Sequence, residues 1–112
     1  MHELSIALSI VETVGEQLKE HGAKEAAEVE LEIGSMSGVV IEALEFALEE
    51  AVKLSMMQHA RITIREIPAS MRCLACAHEF EPVDIITPCP ACGHLYSDLI
   101  AGGEMKIKSI RF

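Results

Sequence analysis

The chain has 112 residues, 50% hydrophobic and 24% charged, the length and mix of one ordinary soluble domain, so a second full-sized domain is excluded. Eighteen acidic side chains against nine basic give a net charge of −9, and aromatics make up only 4% with no Trp; repulsion of phosphate backbones and the lack of stacking platforms both argue against a generic nucleic-acid partner. No apolar run approaches the roughly 18 residues of a membrane helix, and the first residues lack the basic-then-apolar order of a secretion signal, so a cytoplasmic protein with no membrane partner is expected.

Leu4, Ala7, Leu8, Val11, Val14 and Leu18 recur at three- and four-residue steps. They predict a helix that begins almost at the amino terminus, with Gly22 placed to end it. Val29, Leu31 and Ile33 alternate with Glu28, Glu30 and Glu32, the period of a strand with one buried and one wet face, stopped by Gly34. Ser35 to Gly38 offer turn and capping residues. Val40, Leu44, Ala47, Leu48 and Ala51 then mark a second amphipathic helix through about Leu54. Ala60, Ile62 and Ile64 alternate with Arg61, Thr63 and Arg65 in a second strand closed by Pro68.

From Met71 to about Ile100 the composition changes: all four cysteines and three of the four prolines sit there without a helical period. After Gly102-Gly103, Met105, Ile107 and, following a shift of phase, Ile110 and Phe112 predict a third strand that returns to the first sheet. The expected fold class is α+β, a two-layer domain of two helices on a small three-stranded sheet. It comprises residues 1–69 with 101–112, and a zinc-ribbon-like module, residues 70–100, is inserted before the last strand. No internal repeat is apparent. Glu12, Glu16 and Glu20, like Glu42, Glu45 and Glu49, read as solvated helix faces, with a docking surface for a basic partner as the alternative. Met56 and Met57 read as gap fillers at a helix end, with soft metal ligands as the alternative.

Cys73-Leu-Ala-Cys76 and Cys89-Pro-Ala-Cys92 are two CxxC pairs with twelve residues between them, an arrangement in which four thiolates converge on one tetrahedral zinc ion. Gly93 follows the second pair where the backbone must turn under a metal. Ala77 follows the first, where glycine would be easier, so that knuckle is expected to be less regular. So small a segment cannot bury enough apolar surface to fold unaided; metal binding should supply folding energy on the order of 10 kcal/mol. Two disulfides, or a redox-active CxxC pair, are the competing readings, and a cytosolic setting favours neither. Four sulfurs leave no open position for water, which disfavours a hydrolytic zinc enzyme. His78 and His94 flank the knuckles, either as solvated turn residues or as a link from the zinc module to a second metal.

The chain opens Met1-His2-Glu3-Leu4-Ser5. The α-amine, the His2 amide nitrogen and the His2 imidazole can close fused chelate rings on one ion, and the Glu3 amide or carboxylate can add a donor. Such nitrogen-rich, near-planar sets suit Ni(II) and Cu(II), whereas a thiolate tetrahedron suits zinc. A solvated terminal histidine is the ordinary alternative.

A chain opening Met-His-Glu-Leu-Ser, with Gly34-Ser35 and Ser37 before an acidic second helix, then CxxC, CPxCG and a short terminal strand, resembles the HypA/HybF family of nickel metallochaperones. The resemblance covers essentially the whole length and is strongest over Met1 to Ser5 and Cys73 to Gly93. It implies Ni(II) at His2, with Glu3 and the Met1 amine contributing, and structural Zn(II) at Cys73, Cys76, Cys89 and Cys92. No catalytic residue carries over, so no enzyme is expected. The implied partners are the GTPase HypB and the large subunit of NiFe-hydrogenase during its maturation, with urease maturation also served in some organisms. A zinc-ribbon adaptor that binds protein or RNA without nickel is a different class, and its basic surface would have to come from Lys106, Lys108 and Arg111. A thiol oxidoreductase would be a third, and predicts reactive cysteines.

Overall fold

The computed structural model describes residues 3–112. Its elements follow in the order α1 (Glu3–Glu20), β1 (Glu28–Gly34), α2 (Ile41–Ala51), β2 (Arg61–Ile67), β3 (Ser70–Cys73), β4 (Glu79–Phe80), β5 (Ser97–Ala101) and β6 (Met105–Arg111). They form two three-stranded sheets, ordered β2-β1-β6 and β4-β3-β5, in a molecule measuring 54 × 25 × 17 Å. No helix among the described residues is long and apolar enough to cross a membrane.

The α1 face turned to the core carries Ala7, Ile10, Val14 and Leu18, at helical steps of three and four residues. Leu4 and Leu8, expected on that face, are instead 55% and 52% exposed. The first turns carry more apolar residues than one stripe can hold, and the core takes the stripe through Ile10. Gly22 ends the helix as expected, with φ of +67 in the left-handed region, and the Ala23 amide donates back to the Leu18 carbonyl at 2.8 Å.

In β1, Val29, Leu31 and Ile33 are buried to within 1% because this strand lies at the centre of its sheet. β2 runs parallel to it and β6 antiparallel; a parallel neighbour requires a crossover, and α2 supplies it. Glu30 faces Ser109 and Leu31 faces Ile107, which leaves Lys108 as the extra residue of a bulge. This bulge is the expected shift of phase, and it lets both Ile107 and Ile110 reach the core.

The second helix is shorter than its periodicity predicts, ending at Ala51 with Val52 as its C-cap. Leu54, the expected end, is 95% exposed with φ of +62, a conformation that no helix residue adopts. The Ser35 to Gly38 turn does not cap this helix: Val40 holds the cap position without a side-chain bond of its own. Ser37 comes too early and accepts the Val39 amide at 3.2 Å. The Val40 amide donates instead to the Glu3 carboxylate at 3.2 Å, which ties the first turns of both helices together.

One core cluster joins α1, β1, α2, β2 and β6, with Leu18, Leu31, Ile33, Leu44 and Met57 fully buried. Met57 fills a gap in it. The polar face of the sheet is an ion-pair lattice. Glu32 receives both Lys106 and Lys108, at 3.4 and 3.6 Å, and Glu28 receives Arg111.

The expected zinc-ribbon-like module contains the second sheet, whose strands are too short for a periodic signal of their own. It joins the first through the segments on either side of β3 and β5, and the turn after β1 grips both. Ser35 donates to the Ile67 carbonyl at 2.9 Å, Gly34 to that of Glu104 at 2.7 Å, and Met36 to that of Gly102 at 2.8 Å.

Candidate metal centre

Two tight knuckles build the centre. In the first, the Ala77 amide donates to the Cys73 carbonyl at 3.0 Å, and the Cys73 amide to the His78 carbonyl at 2.9 Å. In the second, Gly93 donates to Cys89 at 2.8 Å and Cys89 to His94 at 2.9 Å. Ala77 adopts φ of +64 and Gly93 φ of +76. The first knuckle is therefore as regular as the second, contrary to expectation: two backbone hydrogen bonds and the converging cysteines hold Ala77 in the left-handed region.

The likeness extends past the cysteines. Each knuckle continues into a histidine and, two residues on, an aromatic ring. His78 stacks on Phe80 at 6.3 Å, and His94 meets Tyr96 edge-on at 5.7 Å. The pattern C-x-x-C-x-H-x-aromatic recurs at an offset of sixteen residues, an internal repeat missed because its unit is only eight residues long.

The four sulfurs all lie within 4.8 Å of one another. Pairs form across the knuckles, Cys73 to Cys92 at 3.6 Å and Cys76 to Cys89 at 3.7 Å. A tetrahedron of sulfurs about 2.3 Å from zinc has edges of about 3.8 Å, so the donor set fits that ion. All four cysteines are free, and the disulfide reading is not what the fold contains. Cys73 and Cys89 are buried while Cys76 and Cys92 are exposed.

The thiols do not titrate alike. The Cys76 amide donates to the Cys73 sulfur and, with the Ala75 amide at 3.3 Å, outweighs burial, holding that thiol down at about 6 against an ordinary 9.0. At Cys92 the His94 amide pulls downward, but the neighbouring Cys73 sulfur and burial push the thiol up to about 12. At Cys76 the His78 amide acts in the same sense, yet burial and the Cys89 and Cys73 sulfurs prevail and raise it. Sulfurs this close cannot all carry charge without a cation among them.

Among the described residues this is the one group of three or more His, Cys, Asp and Glu side chains poised to hold a metal ion. The expected amino-terminal donors are not part of it. Met1 and His2 lie outside the described residues, and Glu3 opens α1 with its carboxylate on Val40.

A model of the family described as "Hydrogenase/urease nickel incorporation, metallochaperone, hypA" matches residues 1–112. The chain is 46% identical over 110 residues to the hydrogenase maturation factor HypA of Parabacteroides distasonis, covering 98% of this chain and 96% of that one. It is 38% identical to the HypA of Geotalea daltonii, with 98% and 97% covered. The fold is similar to the solution structure of the Ni metallochaperone HypA from Helicobacter pylori, with a TM-score of 0.71 at 25% identity, over 99% of this chain and 97% of that one.

Proposed function

This chain belongs to the HypA family of hydrogenase and urease nickel-incorporation metallochaperones, and we propose that it binds Ni(II) at its amino terminus and helps deliver it to the large subunit of NiFe-hydrogenase during maturation. The Met1 amine, the His2 amide and imidazole, and Glu3 form the carrying site. Cys73, Cys76, Cys89 and Cys92 hold a structural Zn(II), which supplies folding energy to residues 70–100. Residues 1–69 with 101–112 make up the nickel-binding unit. The protein is a carrier and not a catalyst. It acts in the cytoplasm with the GTPase HypB, and serves urease maturation where that enzyme is present.

The observation that carries this reading is the closure of the sulfur cage. Its four donors match one tetrahedral ion, so a second, labile metal needs a different donor set, and the nitrogen donors at the chain's start suit Ni(II). Release fits the same site, because an amine and an imidazole with ordinary values near 8 and 6.5 lose a metal to protons on mild acidification. The zinc-ribbon adaptor alternative loses its basic surface, since Lys106, Lys108 and Arg111 already face Glu32 and Glu28.

Calorimetric titration of Ni(II) into zinc-loaded protein starting at Met1 tests the proposal, alongside His2→Ala and a form with one residue added before Met1. Both changes should abolish high-affinity nickel binding and leave zinc in place. Unchanged nickel affinity in the extended form would overturn the terminal-amine model.

A further inference from the structure

The second sheet carries a feature that metal binding does not explain. In the connection between β4 and β5, Val83, Ile85 and Ile86 are 90%, 73% and 74% exposed, three large aliphatic side chains within four residues. Single exposed apolar residues are ordinary on a protein surface, but a contiguous group is not.

This group is tied into one turn by hydrogen bonds of its own. Thr87 Oγ1 accepts the amides of Val83 and Asp84, each at 3.0 Å, and donates to the Asp84 carbonyl at 3.0 Å. Asp84 Oδ1 accepts the Ile86 amide at 3.0 Å. Two side chains thus fix a turn whose aliphatic residues point away from the body of the protein. Such preorganisation removes much of the ordering entropy that a loop otherwise loses on binding.

The electrostatic setting names the kind of partner. Between Arg72 and Lys106 the chain contains no Lys or Arg, and it carries Glu79, Glu81, Asp84, Asp98 and Glu104. Arg72 is itself paired with Glu79 at 3.0 Å. An anionic lipid surface is repelled by this region, and so is a second copy of the same acidic module. A protein surface with an apolar socket rimmed by Lys and Arg is complementary in both shape and charge.

We propose that the turn Val83–Thr87 is a preformed docking tip, and that its occupant is a protein partner with an apolar, cation-rimmed groove. The tip works independently of the nickel site. Val83, Ile85 and Ile86 enter the groove, while Asp84 and Thr87 keep the turn in shape.

The test uses zinc-loaded, full-length protein labelled for amide NMR and titrated with a synthetic amphipathic Leu/Lys helical peptide, with a Leu/Glu peptide of equal length as its twin. Saturable shifts centred on residues 83–87 are expected with the Lys peptide alone. Val83→Ser combined with Ile85→Ser and Ile86→Ser should weaken binding at least tenfold. Asp84→Ala, which keeps the aliphatic groups but loosens the turn, should weaken it by a smaller factor at the same contacts. Shifts centred on the acidic faces of α1 and α2, equal binding of the Glu peptide, an unaffected triple variant, or tip shifts on concentrating the protein alone would each overturn the proposal.

Discussion

A β-carbon added to Gly34 would stand 1.9 Å from the carbonyl oxygen of Gly102. The end of β1 and the segment after β5 cross there with no room for a methyl group, and the obstacle is backbone, which has no rotamer to escape into. Gly34→Ala should therefore separate the two sheets or strain both, at a cost of about 2–3 kcal/mol and a Tm lower by roughly 8 °C or more. Gly22→Ala is the control. Its φ is positive, but nothing lies within 4 Å, so it should cost only about 1 kcal/mol. Thermal unfolding of the two variants checks the order, and equal Tm values would contradict it.

Ala77 occupies the left-handed position that glycine holds in the second knuckle. Ala77→Gly should relieve that strain and stabilise the metal-loaded protein by about 0.5–1 kcal/mol, a modest gain because glycine also enlarges the unfolded ensemble. Gly93→Ala should do the opposite by about the same amount. Chemical denaturation of both variants reads the pair of signs.

The core cluster draws no residue from 68–106. Stripping the metal with a strong chelator, or replacing Cys89 with Ser, should unfold the second sheet and leave α1, α2 and the first sheet folded. Two signals separate these outcomes. The single tyrosine of the chain, Tyr96, lies in the second knuckle region, so its emission should change while far-UV helical dichroism is retained. Loss of both together would show that the core depends on the cage.

Much of this architecture was legible from residue patterns. Alternation at Val29, Leu31 and Ile33 gives β1, the broken alternation between Ile107 and Ile110 gives both β6 and its bulge, and the CxxC spacing gives the cage. What escaped is where local pattern and tertiary context diverge. Leu4 and Leu8 fit a helical stripe as well as Ile10 does, and only the packed core decides between them. The Val40 amide at the start of α2 finds its acceptor on Glu3, thirty-seven residues away in the chain, and no local motif announces it. The strands of the second sheet are two to five residues long, shorter than any periodicity can register, and the Gly34–Gly102 crossing requires the fold to be known first.

A nickel carrier of this kind must hold two unlike metals on one chain. Metal analysis of protein starting at Met1, equilibrated with micromolar Ni(II) and Zn(II) and then freed of unbound ions, measures this directly. The expected result is one zinc and one nickel per chain at neutral pH, with the nickel alone lost on mild acidification. Zinc without nickel, or nickel found only in place of zinc, would contradict it.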